Sequence, residues 1–158
     1  MKIKKYVFIS AWNDSGGGYT HRLFDNLPAV IAWPFELQLG TACIKDNFSS
    51  WFHDKYRWLT WSSQLDQSFP EDLFDATIDE ELKQLLLKKN KKHREYNIPV
   101  ILDDWKTLFC DFWRESDQSK KSWFLCYIES FLTLWQGTDN LGNKTHFVAH
   151  CPTLNLDA

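Results

Sequence analysis

Tyr6-Val7-Phe8-Ile9-Ser10-Ala11-Trp12-Asn13-Asp14-Ser15-Gly16-Gly17-Gly18-Tyr19-Thr20-His21-Arg22-Leu23-Phe24-Asp25 joins a short apolar run, three consecutive glycines and a pattern that can start a helix. The apolar run is rich in β-branched and aromatic residues and reads as a buried strand. Strand, glycine turn and helix together point several backbone N–H groups at one place. Such a site suits an anion, above all a phosphate. The Walker pattern is absent, because no lysine follows the last glycine. The same residues also fit a glycine-rich turn that holds no ligand.

Outward from this stretch, Leu27-Pro28-Ala29-Val30 reads as a turn and Ile31-Ala32-Trp33 as a second strand, with Pro34 expected to stop it. Glu36 follows at the expected carboxyl end of that strand, where open α/β sheets place their chemistry. It is a candidate general base, or else the acidic N-terminal residue of a helix over Phe35–Leu39. The middle of the chain reads as helical: Asn47 caps a helix through Tyr56, and Pro70 starts a turn after a break. Asp79-Glu80-Glu81 opens a helix running into the basic cluster Lys88–Arg94, with acids first and bases last. Two broad apolar patterns follow, Val100 to about Arg114 and Ser119 to about Trp135, and Gly137 is expected as a left-handed cap. Thr145–His150 reads as a third strand, closed by Cys151-Pro152. Strands separated by helices predict an α/β fold with a parallel sheet, in one domain over residues 1–158. Three strands make a small sheet, so the chain reads as the N-terminal portion of a longer domain.

Composition narrows the function classes. A hydrophobic share of 44% and a charged share of 25% are those of a globular protein. Nine tryptophans and twelve phenylalanines fit aromatic helical cores more readily than a ligand pocket. The net charge of −3, with acids and bases interspersed, leaves no footprint for nucleic acid. Cys43, Cys110, Cys126 and Cys151 lack the spacing of a zinc site or of a disulfide framework, so no metal is expected and the reduced cytosol is the expected compartment. No run approaches the ~20 apolar residues of a membrane span.

The pattern resembles the sulfotransferases that use 3′-phosphoadenosine 5′-phosphosulfate (PAPS). Val7-Phe8-Ile9 is similar to their first strand, Asp14-Ser15-Gly16-Gly17-Gly18 to their loop, and Leu23–Val30 to the helix and its exit. Trp33-Pro34-Phe35-Glu36-Leu37 looks like the segment that follows in some branches, and His146–Ala158 is similar to a later segment ending in L-D-A. The resemblance implies a P-loop-like fold and transfer of a sulfuryl group from PAPS to an acceptor hydroxyl or amine. It implies that Ser15, Gly16, Gly17 and Gly18 cradle the 5′-phosphosulfate, with Asn13, Asp14, Tyr19 and Arg22 around the donor. Glu36 is then the first choice of base and His150 the second. The family usually carries Lys or Arg where this chain has Asp14, and a lysine where it has His150. Aromatic residues fit a carbohydrate, a phenol, a peptide tyrosine or a lipid as acceptor. Two other readings stay open: a sulfotransferase-like nucleotide-binding or interaction module without catalysis, and a different P-loop phosphotransferase.

Overall fold

A computed structural model describes residues 3–10, 16–25, 27–37, 39, 69–88, 98–140 and 143–151. The chain is α/β, as the alternation of strand and helix patterns predicts. The elements are β1 (Lys5–Ser10), α1 (Gly17–Arg22), β2 (Val30–Glu36), α2 (Pro70–Thr77), α3 (Glu80–Leu86), α4 (Leu102–Glu115), α5 (Lys120–Asn140) and β3 (His146–Cys151). The expected helix after Asn47 lies outside the described residues.

The strands form one parallel sheet in the order β1-β3-β2. The last strand in sequence is therefore the central one. β1 and β3 pair without interruption from Lys5–His146 to Ser10–Cys151. The connection from β1 to β2 passes over β3, and the connection from β2 to β3 comes back. When both have the usual right-handed sense, their helices lie on opposite faces of the sheet. The side chains agree. Tyr6, Phe8 and Trp33, grouped around Phe147, pack against Phe124, Tyr127 and Phe131 of α5 on one face. Period-two alternation turns Val148 and His150 to the other face, where His21 of α1 meets β3.

The core lies between the sheet and the helical layer. Trp33, Phe74, Trp105, Phe109, Tyr127 and Phe131 are fully buried and in mutual ring contact. This absorbs much of the aromatic content as packing. Two indole nitrogens inside are matched, Trp105 Nε1 donating to Ser130 Oγ at 3.0 Å and Trp123 Nε1 to Thr77 Oγ1 at 2.6 Å, whereas the buried Trp33 Nε1 has no hydrogen-bond partner among the described residues. Buried Asp79 caps α3 by accepting from the N–H groups of Glu81 and Leu82, while its own N–H donates to the Tyr127 hydroxyl.

Four local expectations are corrected. β2 does not stop at Pro34 but runs to Glu36, because it is an edge strand and proline is tolerated there. Its register with β3 breaks between Ala32 and Glu36, around the proline. Residues 35 and 36 are therefore strand, not the start of a helix over Phe35–Leu39. Gly137 does not cap α5, which continues to Asn140. A glycine inside a helix costs about 1 kcal/mol, less than one well-buried aromatic side chain contributes. The helix opened by Asp79 does not run into the basic cluster but ends at Leu86, and Lys88, at φ 56°, donates its N–H to the Leu85 carbonyl; the rest of the cluster lies outside the described residues. Cys110 and Cys126 are free and buried, and burial pushes both thiols up. Among the described residues no helix is long and apolar enough to cross a membrane, and no group of three or more His, Cys, Asp or Glu is arranged to hold a metal.

Candidate functional site

The three strands are parallel, so their carboxyl ends share one edge of the sheet, and α1 starts beside it. Gly16 enters the helix at φ 86°, ψ 11°. This left-handed conformation costs an L residue about 1–2 kcal/mol, which explains a glycine here. Its carbonyl accepts from the Thr20 N–H at 2.9 Å and from the Thr20 hydroxyl at 3.2 Å, closing the first turn.

The glycine run divides into three roles. Gly16 supplies the turn. Gly17 and His21 are the buried residues of α1, and their four-residue spacing places them on one stripe facing the sheet. Gly18 is exposed, and a Cβ built on it would meet nothing within 4 Å. The helix thus begins inside the glycine run, and Gly17 has a packing role against the strands. Tyr19 is exposed at 74% and Arg22 is exposed in the last turn. Five rises of about 1.5 Å put Arg22 roughly 8 Å along the axis from Gly17. There it complements the helix's terminal carbonyls. Asn13, Asp14 and Ser15 lie outside the described residues.

Glu36 and His150, distant in sequence, are brought together. Glu36 is the last residue of β2 and is in register with His150 of β3. The N–H of Leu37, the next residue, donates to the His150 carbonyl at 2.8 Å, which fixes the end of β2 against β3. His150 Nδ1 stands 3.9 Å from Glu36 Oε1, within ion-pair range but beyond a hydrogen bond. The histidine side chain is 8% exposed and the glutamate 41%. The carboxylate therefore faces solvent while the imidazole is enclosed. His150 Nε2 is buried with no hydrogen-bond partner among the described residues.

His21 is the residue that local sequence reading missed. It is buried, at 8% exposure, and its Nε2–H donates to the Val148 carbonyl at 3.4 Å. Burial lowers its basicity most, helped by the neighbouring His150 and Arg22. The Val148 bond and Asp25 oppose that shift without reversing it. Its signal in the sequence was the Gly17–His21 spacing at the start of a helix. Chemically, the edge combines exposed backbone at Gly16 and Gly18, a solvent-facing carboxylate, and an enclosed imidazole with one unused nitrogen. Comparison with protein-family models, with curated proteins and with solved structures finds no match for this chain.

Proposed function

We propose that the carboxyl edge of the sheet receives the phosphosulfate end of PAPS and that the chain is a P-loop-like sulfotransferase domain. In this reading the acceptor oxygen or nitrogen attacks sulfur, and the bond from sulfur to the bridging oxygen breaks. The electron pair leaves on the 5′-phosphate of 3′-phosphoadenosine 5′-phosphate. The acceptor's proton passes to the Glu36 carboxylate, whose solvent-facing position suits a group that must meet an incoming acceptor. Catalysis of this type is mostly positioning and charge stabilisation. The observation that carries the reading is the convergence of Glu36 and His150 at the ends of adjacent parallel strands, beside the glycine entry to α1.

The test is calorimetric titration with 3′-phosphoadenosine 5′-phosphate. Saturable binding by the native chain is expected, weakened about tenfold or more by Gly18→Val, where added bulk meets open space and not protein. Glu36→Gln is expected to lose sulfuryl transfer while still binding the nucleotide, more weakly than the native chain. A folded native chain that binds no nucleotide overturns the proposal. A binding module without catalysis is the second reading, and the burial of Gly17 favours it by giving part of the glycine run a structural purpose. It predicts binding in the same titration with no transfer to any acceptor class.

A further inference from the structure

We propose that His150 is the proton-linked cation of the carboxyl edge: it takes up a proton when an oxyanion binds there, donates from Nε2 to that anion, and is held by Glu36 on its Nδ1 side. The inference deepens the preceding reading and rests on that edge being the anion-receiving face.

Three observations carry it. His150 Nε2 is buried without a partner among the described residues. A buried polar group left unsatisfied costs roughly 1–3 kcal/mol, so such atoms are normally matched by protein or by water, and His150, unlike the equally unpartnered Trp33 Nε1, lies beside a carboxylate at a strand end. Glu36 Oε1 stands 3.9 Å from the other ring nitrogen, close enough to stabilise an imidazolium. His150 also sits at the strand end in register with both neighbours, Ile9 of β1 and Glu36 of β2, so its position is set by the ladder.

The charges around it explain why proton and anion arrive together. From β2, Glu36 favours the cation. From α1, Arg22 lies beside His21, and charge on Arg22 and on His150 disfavours protonation of His21. Asp25, just past α1, acts on His21. From β1, Ile9 brings no charge. His21 itself is committed to the Val148 carbonyl through Nε2–H and is kept neutral by burial, so it does not substitute for His150. Glu36, itself partly in solvent, stands within ion-pair range of His150. An incoming oxyanion supplies the second negative charge and occupies the unused nitrogen.

The experiment follows histidine ring signals of the full chain by NMR through a pH titration, in sodium sulfate and in sodium chloride of equal ionic strength. His150 is identified by the signal absent from His150→Gln. Its titration midpoint is expected about half a pH unit or more higher in sulfate, and Glu36→Gln is expected to lower the midpoint in chloride. A midpoint indifferent to sulfate overturns the proposal, as does a sulfate-dependent shift confined to His21. Glu36 is partly exposed, so its variant is expected to fold and to keep the test informative when His150→Gln does not fold; the ring contact to Glu36 then identifies the signal. The nucleotide titration separates the two ideas. A sulfate-dependent His150 without nucleotide binding supports this inference and defeats the sulfotransferase reading. Nucleotide binding with a sulfate-indifferent His150 does the reverse.

Discussion

At the scale of single residues, the three glycines make different predictions although the sequence presents them as one run. Gly16→Ala forces an L residue to φ 86° and is expected to destabilise the fold by about 1 kcal/mol. Gly18→Ala adds a methyl into open space inside a helical turn and is expected to be neutral or stabilising by up to about 1 kcal/mol. Urea denaturation of the two variants checks the ordering, and the reverse order would mean that Gly16 is not the turn residue. His21 makes a prediction about pH. Its basicity is lowered by burial, so the unfolded chain binds more protons than the native one just below the ordinary histidine value of about 6.5. The stability it contributes is whole above that pH and falls as the pH drops through the native value. Between pH of about 7.5 and about 5.5, the native chain should lose more stability than His21→Gln. Equal losses would place the pH dependence elsewhere.

At the scale of elements, α3 owes its start to Asp79, which is 2% exposed and accepts from two backbone N–H groups. Asp79→Ala is expected to cost about 1–2 kcal/mol in unfolding free energy, and Asp79→Asn much less, because an amide oxygen can still accept. Similar losses for both would mean that the carboxylate charge, and not the cap, is what counts. This cap was legible in the sequence as an acid directly before Glu80-Glu81. Helices α4 and α5 were legible from their apolar spacing, and the three strands from their β-branched and aromatic runs. What was not legible has a common physical origin. Pro34 is compatible with β2 only because β2 is an edge strand, and edge position is decided by where β3 inserts. Gly137 stays helical because local propensity is smaller than the packing of the rest of α5. The division of labour among Gly16, Gly17 and Gly18 depends on which side of α1 meets the sheet. Glu36 and His150 could each be singled out as a strand-end residue. Their pairing follows from strand order and register, which no local pattern encodes.

At the scale of the whole molecule, two layers meet at one aromatic core, and the edge carrying Glu36 and His150 brings chemistry-bearing side chains of two adjacent strands together. The exposed ion pairs, Arg114–Glu71 at 2.6 Å and Lys106–Asp75 at 2.7 Å, join α2 to α4 but contribute little in water, about 0–1 kcal/mol each. Cohesion comes from the buried rings and from the ladder. β1 and β2 do not pair with each other; within the sheet each is joined only to β3. On the ribosome, therefore, both outer strands emerge long before the strand that unites them, and the nascent chain carries two unpaired apolar segments through most of its synthesis. Long-range pairing of this kind is slow to form. A chain ended before His146 is expected to show helical circular dichroism without cooperative unfolding, whereas a sharp thermal transition in that fragment would mean that the helical layer folds without the sheet. Quality control acting on the growing chain would meet β1 and β2 as unfinished ends, and only the arrival of His146–Cys151 would release them.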